Sequence, residues 1–218
     1  MTPRKLKAAI FDLDGVLVDT AKYHYEAWKK IADELNIPFD PEKNEALKGL
    51  SRRDSLDALL SLGNKTYSET EKDKLCDQKN EYYLESIRQV SSKDLLPGVE
   101  ELLLELKEKK IPLAIGSSSK NARPIIEKLG IKEYFNAIVD GNDLTKAKPD
   151  PQVYLLAGEG LKVRPESCVV FEDGYVGIVA AKKAGMVAVG LGSVQTLKEA
   201  DYYFENLKDT KKITNLFK

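Results

Sequence analysis

The stretch from Ile10 to Thr20, Ile-Phe-Asp-Leu-Asp-Gly-Val-Leu-Val-Asp-Thr, constrains what this chain can fold into more than any other. The apolar run Ala8 to Phe11 predicts a buried strand. Asp12 and Asp14 follow at the end of that run, and carboxylates are rarely buried unless they are paired or bind a metal. Ligands of open parallel sheets bind beyond the carboxyl ends of the strands. The stretch therefore predicts a strand that delivers two carboxylates to a cation site and then bends at Gly15.

The composition limits the class of protein. The 218 residues suffice for one large domain or two small ones, and 42% of them are apolar, as in a protein with a real core. The net charge of −1 gives no broad basic surface for nucleic acid. The apolar runs are too short to cross a membrane, and the basic N-terminus lacks a signal-peptide pattern. Cys76 and Cys168 have no metal-like spacing, which indicates a reducing, cytoplasmic location.

A helical insertion is predicted after the first strand. Apolar residues recur at helical spacing from Ala21 to Leu35. Three later segments begin with helix-capping residues, Asp40, Ser51 and Ser68, and the last of these starts a capping box. Residues 18–91 are thus predicted to be nearly all helix, without a strand.

Two features of this insertion indicate a ligand. Thr20, His24 and Trp28 are four residues apart and share one helix face. Arg52 is predicted in the first turn of the helix that Ser51 caps, where a cation is unfavourable unless it meets an anion. From these residues alone, a capping threonine, a solvated histidine, a core tryptophan and an exposed arginine remain the alternatives.

The rest of the chain alternates strands and helices, which predicts a parallel sheet with helices on both faces. The later predicted strands are Ile111–Ile115, Ala137–Val139, Val169–Phe171 and Val187–Val189, with Tyr202–Phe204 as a further candidate. The predicted helices between them are Val99–Leu106, Lys120–Leu129, Pro151–Gly158 and Gly174–Ala184. The predicted fold class is α/β, a Rossmann-like doubly wound core formed by residues 1–17 and 92–218, with residues 18–91 as an inserted helical cap.

Polar residues follow three of these strands as well. The loop Gly116–Asn121 is rich in serine, and its small residues let backbone N–H groups approach a phosphate. Lys148 precedes Pro149, which biases its backbone towards an extended conformation. Glu172 and Asp173 form a second acidic pair at a strand end. Each feature alone is as typical of a solvated loop as of a site.

Taken in order along the chain, these features resemble the four motifs of the haloacid dehalogenase superfamily of phosphotransferases. They are Asp12-x-Asp14, the serine loop with Ser117, Lys148, and Glu172-Asp173. The resemblance covers almost the whole chain and implies that Asp12 attacks phosphorus to form an aspartyl-phosphate. It implies that Asp14 is the general acid and base, which requires a raised pKa in the closed site. Ser117 and Lys148 would complete the catalytic set.

The same resemblance implies a magnesium cofactor. Mg²⁺ prefers oxygen ligands in an octahedron. The ligands implied are Asp12, the backbone carbonyl of Asp14, Asp173 and, as a further candidate, Glu172.

The helical insertion narrows the resemblance to the β-phosphoglucomutase family within this superfamily. Matching features are the Thr20–His24–Trp28 stripe, the loop Lys48–Arg52, Lys79-Asn80 and Ser117-x-Ser119-Lys120-Asn121. The implied reaction converts β-glucose 1-phosphate to glucose 6-phosphate through β-glucose 1,6-bisphosphate. Arg52 would bind the phosphate that is not being transferred, with Ser119 and Asn121. The implied substrate-binding set is Thr20, His24, Trp28, Gly49, Arg52, Lys79, Ser117, Ser118, Ser119, Lys120 and Asn121.

Two departures and two alternatives remain open at this stage. Gly174 stands where the family pattern has a small polar residue, and Ser118 stands where it has alanine. A phosphatase acting on sugar phosphates or other small metabolites would use the same four motifs and pass the phosphoryl group to water. A non-catalytic binding protein on the same fold is the second alternative, although both Asp12 and Asp14 are present. We expect a monomer that acts on a small sugar phosphate, without nucleic acid or membrane partners.

Overall fold

Six short apolar runs pair into one parallel sheet in the computed structural model, which describes residues 5–47 and 50–217. The strands are β1 (Ala8–Phe11), β2 (Leu113–Gly116), β3 (Ala137–Val139), β4 (Cys168–Glu172), β5 (Val187–Leu191) and β6 (Tyr202–Phe204). Their order is β3-β2-β1-β4-β5-β6, and every neighbouring pair is parallel. The predicted doubly wound α/β fold is confirmed. Because the strand order reverses between β1 and β4, a crevice opens at their carboxyl ends.

Four α-helices form the described part of the insertion that follows β1. They are α1 (Ala21–Glu34), α2 (Pro41–Glu45), α3 (Arg52–Leu60) and α4 (Glu69–Ser86). The predicted caps are confirmed, since the side chains of Asp40, Ser51 and Ser68 each accept a backbone N–H of the first turn. Thr20 is the exception: it precedes α1, but its side chain makes no capping bond.

Five helices follow in the sheet region of the chain. They are α5 (Val99–Glu108), α6 (Ala122–Leu129), α7 (Gln152–Gly160), α8 (Tyr175–Lys183) and α9 (Thr210–Thr214). Most predicted ends are within two residues of these bounds. The predicted strand Ile111–Ile115 begins two residues too early, because the Ile111 N–H closes the end of α5 on the Leu106 carbonyl.

Alternate strand residues point to opposite faces of the sheet, and each face has its own apolar cluster. Strand residues such as Phe11 and Phe171 pack with α5 and α6 on one face. Ile10 and Val170 pack with α7 and α8 on the other. A third cluster lies within the insertion, and its buried members include Ile31 and Leu56.

The chain crosses between sheet and insertion at one narrow junction. The Leu96 N–H donates to the Leu17 carbonyl at 3.0 Å, and Val18 forms a β-bridge with Leu95. The junction lies next to the carboxyl end of β1, so the insertion stands over the strand ends. Within the described ranges, no helix combines the length and apolar character that spanning a membrane requires.

Candidate active site

A cluster of carboxylates lies where the sequence predicts it, at the carboxyl ends of β1 and β4. Oxygen atoms of Asp12, Glu172 and Asp173 all lie within 4.8 Å of one another. Gly15 makes this approach possible, because its φ is +85° and a Cβ there would lie 2.1 Å from Asp173 Oδ2. Three oxygen donors of this kind suit a divalent cation.

Lys148 enters this cluster from the loop before α7. Its buried ammonium donates to Asp12 Oδ1 at 2.7 Å and to Glu172 Oε1 at 2.6 Å. Burial disfavours its charge, but the two carboxylates outweigh burial and raise the pKa of Lys148 above its usual value. Lys148 is therefore a permanent cation beside Asp12.

For Asp12, in contrast to Lys148, burial is the effect that dominates the pKa. Burial raises the pKa of Asp12 well above its ordinary value, the Lys148 ammonium lowers it, and the neighbouring carboxylates raise it again. A divalent cation in the cluster would lower the pKa of Asp12 and favour its ionised form. The protein alone thus leaves the ionisation of Asp12 costly, as expected for a site that includes a metal.

Tyr154 is a member of the site that the sequence-based analysis missed. Its buried hydroxyl donates to Glu172 Oε1 at 2.6 Å, the same oxygen that Lys148 contacts. The Gly174 N–H donates to Glu172 Oε2 at 2.9 Å, so the departure from a polar side chain at this position leaves a backbone bond in place. A Cβ on Gly177 would lie 1.6 Å from Glu172 Oε1, so α8 also packs directly against this carboxylate. The only sequence signal for Tyr154 was a tyrosine six residues after Lys148, which is too common to single out.

Asp14 faces the insertion instead of the carboxylate cluster. The Thr20 hydroxyl donates to Asp14 Oδ1, and His24 Nε2 lies 3.7 Å from the same oxygen. Burial raises the pKa of Asp14, but hydrogen bonds and charges from His24, Thr20 and Lys79 outweigh it and lower the pKa below its ordinary value. The raised pKa expected of a general acid is therefore not found for Asp14 among these side chains. An incoming phosphate dianion would raise the pKa of Asp14 by charge repulsion.

His24 and Lys79 form a pair above Asp14. Lys79 Nζ lies 2.8 Å from His24 Nδ1, so a protonated Lys79 donates to Nδ1 and leaves the ring proton on Nε2, facing Asp14. Burial and the charge of Lys79 lower the pKa of His24. The Lys79 ammonium also lies 4.9 Å from the ring centroid of Trp28 and 4.7 Å from that of Tyr83. Thr20, His24 and Trp28, the three residues of the predicted stripe, thus all contact Asp14 or Lys79. Trp28 is at the same time a buried core residue.

The burial of Lys79 gives a testable pH dependence. Burial, with help from Arg52, lowers its pKa to about 7, against 10.5 ordinarily. Between these values the unfolded chain binds more protons than the folded chain, so the penalty for burying Lys79 falls as the pH rises above 7. We expect Lys79→Met to raise the free energy of unfolding more at pH 6 than at pH 9, by about 2–3 kcal/mol. Urea denaturation of both proteins at both pH values measures this, and an equal effect at the two pH values would contradict it.

A second polar group lines the cavity and is centred on Arg52 of the insertion. Arg52, in the first turn of α3 as predicted, donates from Nη2 to Asn80 Oδ1 at 2.8 Å. Asn121 Nδ2 donates to the same oxygen at 2.8 Å. Burial lowers the pKa of Arg52, but a guanidinium stays charged at any physiological pH.

The serine loop also lines the cavity, through residues 118–121. Ser117 is buried, and its hydroxyl accepts the Ser119 N–H at 3.1 Å. The Ser119 hydroxyl accepts the Asn121 N–H at 3.2 Å. These bonds hold residues 119–121 in a turn, so α6 begins at Ala122 and not at Lys120 as predicted.

One cavity of about 700 Å³ lies between the strand ends and the insertion. Most predicted site residues line it: Asp12, Asp14, His24, Trp28, Arg52, Lys79, Ser118, Ser119, Lys120, Asn121 and Asp173. Thr20, Ser117, Lys148 and Glu172 are buried and support the residues that line it. Gly49, predicted to bind substrate, lies outside the described residues. Cys76, for which no functional role was predicted, also lines the cavity.

These strand-end motifs are matched by a family model. The model of the haloacid dehalogenase-like hydrolases matches residues 6–185. The chain belongs to this family. This membership confirms the predicted superfamily. Together with the cluster of carboxylate oxygens, it implies a divalent metal.

Individual members of the haloacid dehalogenase-like family narrow the comparison. The chain is 46% identical over 206 residues to a β-phosphoglucomutase of Bacillus subtilis, covering 94% of this chain and 91% of that protein. It is 34% identical over 203 residues to a phosphorylated carbohydrates phosphatase of Thermotoga maritima, covering 92% and 91%. The crystal structure of a β-phosphoglucomutase from Clostridium difficile matches with a TM-score of 0.92 and 41% identity, covering 97% of both chains.

Proposed function

We propose that this chain is a β-phosphoglucomutase. It interconverts β-glucose 1-phosphate and glucose 6-phosphate through an aspartyl-phosphate and β-glucose 1,6-bisphosphate, with Mg²⁺ as cofactor. The single observation that supports this proposal is one cavity lined by Asp12, which pairs with the buried Lys148 ammonium, and by Arg52 and Asn121, which both donate to Asn80. An intermediate with two phosphates must be held at both ends, whichever phosphate faces Asp12. The similarity to two β-phosphoglucomutases supports the same reaction.

The transferring end holds the nucleophile. The Asp12 carboxylate attacks phosphorus, and the Lys148 ammonium, 2.7 Å from it, neutralises charge on the phosphoryl oxygens. Asp12, Asp173, Glu172 and the Asp14 carbonyl would hold Mg²⁺, whose positive charge would offset the repulsion between carboxylate and phosphate. Ser117 helps to place the serine loop beside the transferring group.

Proton transfer falls to Asp14. Its carboxyl group protonates the oxygen that leaves phosphorus and, in the second half-reaction, takes the proton from the attacking hydroxyl. Thr20 and His24 hold the carboxylate towards the cavity, and Lys79 orients His24. Since Thr20, His24 and Lys79 all belong to the insertion, the position of Asp14 depends on where the insertion lies.

The insertion acts as a cap in this proposal. Residues 18–91 close over the sugar, with Trp28 and Lys79 against the sugar ring and Arg52 on the distal phosphate together with Ser119 and Asn121. A guanidinium suits this place because its planar fork matches phosphate oxygens. Gly49, Ser118 and Lys120 complete the proposed substrate contacts. A monomer suffices for this reaction, because one chain supplies every side chain of the proposed site.

The proposal is tested by supplying β-glucose 1-phosphate with Mg²⁺ and a trace of glucose 1,6-bisphosphate. We expect glucose 6-phosphate to accumulate with little free phosphate. The similarity to a carbohydrate phosphatase makes a phosphatase the second candidate function. Release of phosphate without glucose 6-phosphate would overturn the mutase assignment in its favour. A coupled dehydrogenase assay for glucose 6-phosphate and a colorimetric phosphate assay on the same sample separate the two outcomes.

A further inference from the structure

Asn80 connects the two sides of the cavity through one atom. Its Oδ1 accepts a hydrogen bond from Arg52 Nη2 and another from Asn121 Nδ2, each at 2.8 Å. Arg52 belongs to the insertion, whereas Asn121 follows β2 in the sheet region. A single side-chain oxygen on α4 therefore fixes the distance between two donors that lie 69 residues apart in sequence (121 minus 52).

Both donors keep the capacity to bind a ligand while they contact Asn80. A guanidinium has five N–H donors in a planar fork, and an amide nitrogen has two. The contact with Asn80 occupies Nη2 of Arg52, which leaves Nη1 and Nε. Arg52 and Asn121 both line the cavity. Side chains held in place before a ligand arrives lose less rotamer freedom when it binds.

We infer that Asn80 is a positioning residue for the distal phosphate. It holds Arg52 and Asn121 at the spacing that one phosphate group bridges, and it acts through them without contacting the substrate. This inference rests on the proposed function, in which Arg52 and Asn121 bind the phosphate that is not being transferred.

The test is Asn80→Leu, which keeps the approximate shape and removes the acceptor. Leucine favours a helix more than asparagine does, so α4 itself is not weakened. We expect the Kd of glucose 6-phosphate, measured by calorimetry with Mg²⁺, to rise about tenfold, or about 1.4 kcal/mol. The KM of isomerisation should rise similarly, with kcat changed less than about threefold. Phosphorylation of Asp12 by acetyl phosphate, which has no distal phosphate, should be unchanged.

Gln78→Leu is the matched control. Gln78 is an amide on the same helix, and its Nε2 donates to Glu34 at 2.9 Å and to Tyr82 at 3.0 Å. Gln78→Leu also removes two side-chain hydrogen bonds, but both lie within the insertion, so its Kd for glucose 6-phosphate should stay within about twofold of wild type. An equal rise in both variants would show a general loosening of the insertion and overturn the inference.

A double-mutant cycle with Asn121→Ala separates positioning from independent binding. If Asn80 acts through Asn121, Asn80→Leu should raise Kd less in the Asn121→Ala protein than in the wild type. Additive effects, or an unchanged Kd for Asn80→Leu, would overturn the inference. Failure of the proposed function has a different signature: the unmutated protein would bind glucose 6-phosphate without isomerising β-glucose 1-phosphate. An unmutated protein that bound no sugar phosphate would overturn both.

Discussion

Asp12→Asn should abolish covalent phosphorylation and reduce isomerisation by at least about 10⁴-fold, as expected when a nucleophile is removed. The amide has the shape of the carboxylate but cannot attack phosphorus, and it removes one negative charge from the carboxylate cluster. Incubation with labelled acetyl phosphate and Mg²⁺, followed by mass spectrometry of the intact protein, measures the phosphorylated fraction. Phosphate label on the Asp12→Asn protein would refute the assignment of Asp12 as the nucleophile.

Asp14→Asn is the informative companion to this variant. It keeps Asp12, the proposed nucleophile, and the Lys148 ammonium 2.7 Å from it, but removes the carboxyl group proposed as general acid and base. Acetyl phosphate has a good leaving group and needs little protonation, so this variant should still become phosphorylated while isomerisation is lost. The pair of variants thus separates attack on phosphorus from proton transfer. The fold of Asp12→Asn should persist, because burial already makes the Asp12 carboxylate costly and Glu172 remains as a partner for Lys148.

Arg52→Ala should lower kcat/KM for β-glucose 1-phosphate by about 10²- to 10³-fold while leaving phosphorylation by acetyl phosphate within about threefold of wild type. Truncating one partner of a hydrogen-bonded charge pair costs about 2–5 kcal/mol, which sets this range. The selectivity follows from position, since Arg52 is bonded to Asn80 within the insertion, whereas Asp12 follows β1 and pairs with Lys148. Steady-state isomerisation and single-turnover phosphorylation are the two measurements. Equal losses in both would argue against a distal phosphate site.

Arg53→Ala is the matched control for this prediction. Arg53 lies next to Arg52 in the same turn of α3, but its guanidinium is paired with Asp73 at 2.7 Å and with Glu69 on α4. Because these pairs are largely exposed, their loss should cost at most about 1 kcal/mol of stability and little activity. Arg52→Lys should recover only part of the loss, since an ammonium lacks the planar fork.

The motif at the first strand shows how much of the site local sequence can predict. The apolar run, two carboxylates and Gly15 located the site at the carboxyl end of β1, and the structure places Asp12, Glu172 and Asp173 together there. The alternation of later strands and helices gave the doubly wound sheet, and the capping residues Asp40, Ser51 and Ser68 fixed helix starts. These features are local: a cap or a strand period depends on residues within one or two turns.

Contacts between residues far apart in sequence could not be predicted from such local patterns. Tyr154 donates to Glu172 across 18 positions, and Asn121 donates to Asn80 across 41. Nothing within a few residues of Tyr154 marks it as different from an ordinary helix residue, and Lys79-Asn80 was singled out only by the family resemblance, which assigned Asn80 no partner. The state of Lys79 is similar, because its lowered pKa results from burial against Trp28 and Tyr83 and from the nearby charge of Arg52.

The sequence by itself determined the order of the elements, the strand ends that carry chemistry, and the residue types available for phosphoryl transfer. Only the tertiary structure decided which of these side chains share a hydrogen bond and which charged groups lie close to each of them. Lys148 reaches Asp12 from 136 positions away, and Asn80 joins the two sides of one cavity. Backbone periodicity and capping are set by neighbouring residues, whereas burial, charge pairing and the convergence of donors on one atom arise only when distant segments pack together.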